Sequence, residues 1–214
     1  MSFEQLRRQY TMGGLHESDL DADPIAQFHQ WMKAALENSP ADWVEPYAMT
    51  LSTADPTGRV SSRIVLLRGA DHGGFAFYTN YDSDKGQQLR ANPQASLTFY
   101  WGYLERQVRI EGTVSRLERS RADAYFHNRP RGSQLSAAIS PQSQPIGNRE
   151  SLEQAVRELD TQLEGAEVPL PDNWGGYLLA PSRLEFWQGR ENRLHDRLVY
   201  ERVTDGWILR RLAP

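Results

Sequence analysis

Between Tyr47 and Leu117 the sequence is a succession of short apolar runs separated by turn signals. The runs are Tyr47 to Ala54, Val60 to Arg68, Phe75 to Asn80, Ala95 to Tyr103 and Gln107 to Leu117. Asp55-Pro56-Thr57-Gly58, Asp71-His72-Gly73-Gly74 and Asn92-Pro93 stand between them. Runs of this length bounded by Pro, Gly, Asn and Asp read as strands. Hairpin-length connections make them antiparallel neighbours, because parallel strands need a crossover of a dozen or more residues. Strands return from Trp174 onward. Helices are expected around the edge. Asp23 caps one that Pro24 opens, with Ile25, Phe28, Trp31 or Met32, and Leu36 at helical spacing. Others are predicted over Asp84 to Arg90, over Glu118 to Asn128 up to Arg129-Pro130, and after Ser133 as an N-cap. Another carries Leu152, Val156, Leu159 and Leu163 on one face, with Gly165 as its stop. Ser140 to Asn148 is loop by composition. The pattern predicts a mainly β chain with peripheral helices, closed as a Greek-key-like β-barrel. With no internal repeat or linker, residues 1–214 read as a single domain, residues 1–20 being a flexible N-terminal segment.

Composition excludes several functions. The 214 residues suffice for a substantial core. A net charge of −4 offers no nucleic-acid footprint. The absence of cysteine removes disulfides, thiolate metal sites and a thiol nucleophile. His16, His29, His72, His127 and His195 show no metal spacing, so no metal is expected. No apolar run approaches the ~18 residues of a membrane span. The polar N-terminus lacks a signal-peptide profile, and a cytoplasmic location is expected. Lys33 and Lys85 are the only lysines. Genome-wide codon bias can produce that skew, but it leaves little room for a Schiff-base lysine.

Chemistry concentrates near the C-terminus, in Leu184 to Arg197. Its first half alternates as a strand does. Read as a second strand, Arg193 to Tyr200 places Arg193, His195 and Arg197 on one face, with Leu194 and Leu198 on the other. Two fixed cations around a histidine suit a solvated edge or an anionic ligand. Trp187 and Gln188 just upstream favour a planar ligand. Two further constellations stand out. Arg63 to Arg68 is an apolar strand with a base at each end, either a buried strand with solvated arginines or a ligand site. The two arginines differ by five, so either a bulge intervenes or they address different ligands. Tyr125, Arg129 and Ser133 are spaced by four. A hydroxyl, a guanidinium and a helix N-terminus would make a phosphate cradle, or merely decorate a surface helix.

The C-terminal stretch, Glu185-Phe186-Trp187-Gln188, four intervening residues and then Arg193-Leu194-His195-Asp196-Arg197, closely resembles the signature of the pyridoxine/pyridoxamine 5′-phosphate oxidases. The similarity runs from Leu6 to the closing Arg211-Leu212-Ala213-Pro214. It implies the FMN-binding split barrel, a homodimer with active sites at the subunit interface. It implies FMN contacts at Arg63, Ile64, Val65, Leu66, Leu67, Arg68, Tyr78, Thr79, Lys85, Gln107, Gln142, Ser143, Trp187 and Arg197. Substrate contacts are implied at Arg7, Tyr10, Arg68, Tyr125, Arg129, Ser133, Arg193, Leu194 and His195, with Arg193 and His195 catalytic. Arg7 and Tyr10 belong to a segment expected to fold over the substrate. Two positions depart from the pattern: Arg68 stands where Lys is usual, and Asp84 where some members carry Arg.

The implied reaction is FMN-dependent oxidation of pyridoxine 5′-phosphate and pyridoxamine 5′-phosphate to pyridoxal 5′-phosphate. Oxygen accepts the electrons as hydrogen peroxide, and the amine substrate releases ammonia. Two alternatives remain at this level. One is a flavin oxidase of the same fold acting on another metabolite, such as a phenazine precursor. The other is a non-catalytic pyridoxal-phosphate binding protein.

Overall fold

Alternation builds the sheet. In β1 (Ala48–Ala54) Met49, Leu51 and Thr53 face inward and their neighbours are half-buried. A tight turn leads to β2 (Val60–Leu66), paired antiparallel with β1 along its length. Asp55 makes that turn by accepting hydrogen bonds from the N–H of Thr57 at 2.8 Å and of Arg59 at 3.1 Å. Gly58 completes it with φ +87°, a conformation that costs a glycine nothing. The remaining strands are β3 (Gly69–Asp71), β4 (Gly74–Asn80), β5 (Gln94–Trp101), β6 (Arg106–Arg116), β7 (Trp174–Gln188), β8 (Asp196–Val203) and β9 (Gly206–Leu212). The computed structural model describes residues 2–5, 8–71 and 73–214.

The sheet order is β2-β1-β5-β6-β7-β4-β3, all antiparallel, with β8 on the distal half of β7 and β9 beyond it. Its two ends, β2 and β3, are consecutive in the chain and separated only by Leu67 and Arg68. Leu67 N–H bonds to Tyr47 on the β1 side at 2.9 Å, and Arg68 N–H bonds to Ala76 of β4 at 2.8 Å. This two-residue link draws the ends together and curls the sheet into a half-barrel. The predicted strand over Val60 to Arg68 is therefore broken after Leu66. The break changes the side-chain parity, so Arg63 and Arg68 line one cavity despite a spacing of five. The expected bulge is absent: β2 stays in register with β1 to Leu66 and ends there.

Five helices surround the sheet among the described residues. In α1 (Pro24–Glu37), Asp23 caps the N–H of Ile25 at 2.9 Å, and the helix buries Phe28, Trp31, Met32 and Ala35. The Phe28 ring lies 4.9 Å from Phe75 and 5.1 Å from Phe99, tying α1 to the barrel interior. Removing a side chain so placed costs about 3–5 kcal/mol. α2 (Asp84–Ala91) is capped by Ser83. α3 (Arg119–His127), α4 (Arg131–Ile139) and α5 (Arg149–Leu163) enclose a second cluster of Phe126, Leu135, Val168 and Trp174.

Two local expectations are corrected. The strand predicted from Arg193 begins only at Asp196. Glu191–Arg193 is a 3₁₀ turn in which Asn192 and Arg193 take left-handed backbones, φ +54° and +62°, so strand parity does not apply. Arg193, His195 and Arg197 thus do not share a strand face, and Leu194 is 68% exposed while Leu198 is buried. Ser133 is not an N-cap. Pro130 takes that place, and Ser133 lies in the first turn, its N–H bonded to Pro130 at 2.8 Å. Within the N-terminal segment, Leu15 is buried and its N–H donates to Asp196 at 3.0 Å. No helix among the described residues is long and apolar enough to cross a membrane.

Candidate functional site

A cavity of about 670 Å³ opens beside the closing link. Its walls bring together Arg63, Ile64, Val65, Leu66 and Arg68 from the β2 side, Tyr78 and Thr79 from β4, and Lys85 from α2. Tyr125, Arg129 and Ser133 come from α3, the loop after it and α4, and Gln142 from the Pro/Ser-rich loop. The block around Arg63 and the Tyr125–Ser133 set, far apart in sequence, thus face one space. Leu67 does not line it, because it turns to the main core. Ser143 adjoins Gln142 with a left-handed φ of +72° but is not among the lining residues.

Among the described residues, the cavity is lined by four cations and no carboxylate. Lys85 is 9% exposed, and among the described residues its Nζ donates to three neutral oxygens: Gln142 Oε1 at 2.8 Å, Thr79 Oγ1 at 3.1 Å and Ser83 Oγ at 3.3 Å. Burial, then the Arg63 charge, pull its pKa down to about 8, with Asp84 opposing. Arg63 donates to Thr53 Oγ1 at 2.6 Å and the Leu51 carbonyl at 3.3 Å, and burial lowers its pKa. Arg68 lies over the Tyr47 and Tyr125 rings, 5.5 and 5.9 Å from their centroids. Arg129 stacks over Trp174 at 4.8 Å, and its Nη1 is buried without a hydrogen-bond partner among the described residues. Burial and the neighbouring Arg68 lower its pKa, while Tyr125 raises it. Mutually repelling, partly desolvated cations with an orphaned donor are a site built for an anion.

One wall is aromatic. Tyr78 and Tyr125 stack at 4.0 Å, and Trp174 lies parallel to Tyr125 with centroids 6.1 Å apart. Sequence reasoning missed Trp174, Asn128 and Pro130 as lining residues. Asn128 and Pro130 flank Arg129, and their position beside it is the only signal for them in the sequence.

A second cavity, about 550 Å³, lies at the other end of β7. It is lined by Arg8, Gln9, Tyr10, Arg190, Asn192, Arg193 and His195. The His195 ring sits 4.8 Å from Trp187, and Tyr10 stands edge-on to both, at 5.4 Å from His195 and 5.7 Å from Trp187. His195 Nδ1 accepts the Arg190 N–H at 3.0 Å, so in neutral imidazole the proton is on Nε2. Burial and the Arg193 charge lower the His195 pKa, with Asp196 opposing. Asp196 fixes the surroundings by accepting from Arg190, Arg211 and Leu15 N–H. Arg8, Gln9, Arg190 and Asn192 were not singled out by sequence. Leu194 lies outside this cavity, and Arg7 lies outside the described residues.

Trp187 pairs with Gln107 of β6 and with Arg197 of β8 across the sheet. Arg197 is held by Glu185, Nε to Oε1 at 2.9 Å and Nη2 to Oε2 at 3.1 Å. Glu185 is 2% exposed. Burial pushes its pKa up, but hydrogen bonds from Arg197 and the charges of Arg197, Arg109 and Arg183 outweigh this and leave it lowered. The sequence expectation for Arg197 did not include this partner.

The chain matches the family model described as pyridoxamine 5′-phosphate oxidase over residues 32–163. Residues 174–214 match the model of the pyridoxine 5′-phosphate oxidase C-terminal dimerisation region. Among curated relatives, the pyridoxine/pyridoxamine 5′-phosphate oxidase of Rubrobacter xylanophilus is 55% identical, covering 98% of this chain and 95% of that protein. The one from Rhodopirellula baltica is 51% identical, covering 100% of this chain and 97% of the relative. Among solved structures, Burkholderia lata PhzG in complex with tetrahydrophenazine-1-carboxylic acid matches with a TM-score of 0.86 at 33% identity, covering 94% of this chain and 98% of that one. A pyridoxamine 5′-phosphate oxidase-related, FMN-binding protein of Nostoc punctiforme shares the fold, with a TM-score of 0.67 at 19% identity over 87% of this chain and 97% of that one. Signature, barrel and full-length likeness agree: this chain belongs to the pyridoxamine 5′-phosphate oxidase family.

Proposed function

We propose that the protein oxidises pyridoxine 5′-phosphate and pyridoxamine 5′-phosphate to pyridoxal 5′-phosphate, using FMN and oxygen. The observation that carries this reading is the cavity lined, among the described residues, by four cations and no carboxylate, with Arg129 Nη1 buried and unpartnered among those residues. A buried guanidinium nitrogen without a partner costs at least ~1–3 kcal/mol, a cost that a phosphate oxygen removes. The residues fit both phosphorylated ligands. Arg63, Lys85, Thr79 and Gln142 would hold the FMN phosphate, and Arg129, Tyr125 and Ser133 that of the substrate. Arg68 stands between the two sets and keeps the charge that lysine usually supplies, as a planar fork rather than a point.

Gln107, Trp187 and Arg197 would meet the flavin ring, and Arg193 and His195 the substrate. Trp174 and Trp187 are separated by thirteen positions of β7, roughly 40 Å of extended strand. That span far exceeds one mononucleotide, and the two cavities share no lining residue. The full set therefore meets on one ligand only when a second copy brings its distal end of β7 to the first copy's anion cavity. A homodimer with two shared sites follows from this reading, and the match to a dimerisation region supports it.

FMN, held by these residues, would supply two-electron chemistry between the substrate's C4′ and oxygen, with hydrogen peroxide as the reduced product. The protein positions and polarises. Neutral His195 presents Nε2–H, held there by the Arg190 N–H at Nδ1. It can donate to the oxygen or nitrogen on C4′ and so orient that group; with Nε2 protonated and Nδ1 accepting from Arg190, it has no free lone pair to take the group's proton. Arg193 stays charged, so it orients the substrate and keeps His195 neutral rather than carrying a proton. Glu185 locks Arg197 in one orientation.

Identity of about half the chain with named oxidases, against 33% with PhzG, favours the B6 phosphates over a phenazine substrate. The test is turnover by FMN-loaded protein on pyridoxine 5′-phosphate, unphosphorylated pyridoxine and a tetrahydrophenazine carboxylate. Turnover of the first, with the second poorer by two orders of magnitude or more, is expected. Turnover of the third alone would overturn the assignment.

A further inference from the structure

Glu105 is a fully buried carboxylate that the reaction as described does not use. It closes the turn between β5 and β6 with a left-handed backbone, φ +52°, uncommon for glutamate. Its carbonyl is tied to the end of β7, accepting Gly189 N–H at 2.8 Å and Gln188 Nε2 at 3.2 Å. Its side chain faces the N-terminal segment. Oε1 accepts from Arg8 Nη2 at 3.0 Å, and Oε2 accepts Met12 N–H at 2.9 Å. Both oxygens of one rigidly mounted carboxylate are therefore spent on two points four residues apart. Between those points lies Tyr10, the residue whose ring stands edge-on to His195 and Trp187.

The neighbouring backbone is shaped for the same ring. A Cβ on Gly189 would come within 2.9 Å of Tyr10 Cγ and 3.0 Å of its Cβ. Those atoms lie close to the Tyr10 backbone and cannot swing aside as a flexible tip would. Glycine at 189 thus leaves the space in which Tyr10 lies, and Glu105 holds the chain that puts it there.

We propose that Glu105 is a positioning residue for the reaction: its carboxylate holds residues 8–12 across the Trp187–His195 face and sets Tyr10 against His195. The inference rests on the oxidase reading for its catalytic consequence, though not for the latch itself. Glu105 touches no reacting group; it acts through Tyr10. The cavity of Arg8, Gln9, Tyr10, Arg193 and His195 exists because this segment is held down.

The test pairs Glu105→Ala with Gly189→Ala, which crowds Tyr10 while leaving the carboxylate in place. Amide hydrogen exchange is read first. In Glu105→Ala the Met12 N–H should exchange at least about tenfold faster, with amides of β6 and β7 unchanged. Steady-state kinetics with pyridoxine 5′-phosphate are read second. Each variant should raise KM roughly tenfold with a smaller change in kcat, and either effect should vanish in a Tyr10→Ala background. Unchanged Met12 protection, or effects that simply add to that of Tyr10→Ala, would overturn the proposal. If Glu105→Ala does not fold, Glu105→Gln, which keeps the shape and removes the charge, takes its place in both readouts, and unchanged Met12 protection there would overturn the proposal. Wild-type protein inactive on the B6 phosphates but with a Glu105-dependent Met12 amide would refute the oxidase reading and uphold the latch.

Discussion

Lys85 is the place where the structure sets stability against binding. It is an ammonium buried among neutral oxygens with its pKa held down at about 8. Its ordinary value in an unfolded chain is ~10.4. Below pH 8 the folded protein stripped of FMN must keep that buried charge, at a cost of about 3 kcal/mol relative to an unshifted lysine. Between the two pKa values the unfolded chain binds more protons than the folded one. Stability therefore rises with pH through that window, by Lys85's contribution. Replacing Lys85 with Met removes the charge and fills similar volume. The acceptors it leaves remain bonded: Thr79 Oγ1 donates to Gln142 Oε1 at 3.1 Å, and Ser83 Oγ donates to the Asn80 carbonyl at 2.6 Å. After subtracting about one net hydrogen bond, Lys85→Met should stabilise the stripped protein at pH 7 by roughly 1–2 kcal/mol. That is on the order of 2–8 °C in Tm for a chain of this size. The same change should weaken FMN by about 1.5–3 kcal/mol, the worth of a charge-assisted hydrogen bond, or roughly 10- to 150-fold in Kd. Thermal denaturation of stripped protein and titration of FMN by flavin fluorescence read the two effects. A less stable variant with unchanged FMN affinity would refute the reasoning and make Lys85 a structural node.

Arg129→Met should raise KM for pyridoxine 5′-phosphate by roughly 10- to 100-fold while FMN content stays at wild-type level; an unchanged KM would remove Arg129 from the phosphate cradle. The acid limb of kcat/KM against pH should lie below the ordinary histidine value of ~6.5, because burial and Arg193 disfavour the His195 cation. In Arg193→Met the His195 titration itself, followed by NMR of the ring C–H, should move upward, and one that stays put would remove Arg193 from its control. Arg193→Lys should lose turnover, since the fork is what orients, and full turnover would refute that role. Mixing Arg129→Ala with Trp187→Ala protein under subunit exchange should restore activity towards one intact site per mixed dimer, whereas sites confined to one protomer would give no recovery.

The β1–β2 hairpin was legible because Asp55, Pro56 and Gly58 mark its turn and the burial of Met49, Leu51 and Thr53 follows strict alternation. The cap at Asp23 and the face of α1 were legible for the same local reason. The break after Leu66 was not, because only long-range pairing with β4 pulls Arg68 out of the strand. β3, at three residues, is too short to carry a period of its own. The Arg193–His195 register was misread because left-handed backbones at Asn192 and Arg193 carry no glycine to announce them. Ser133 was placed one turn early in its role because Pro130, not a hydroxyl residue, opens α4. Glu105 went unnoticed for a related reason. A carboxylate in a turn reads as solvated, and only the fold brings Arg8 and Met12 onto it. The resemblance supplied a residue set; many of its described members lie towards one or other end of β7, while Leu67, Ser143 and Leu194 line neither of the two cavities.

The most direct test mixes FMN-loaded protein with pyridoxine 5′-phosphate without oxygen and follows the oxidised-flavin absorbance. The account predicts rapid bleaching, reversed on admitting air, with pyridoxal 5′-phosphate formed in proportion. A flavin that stays yellow despite tight FMN binding would keep the scaffold and contradict the substrate.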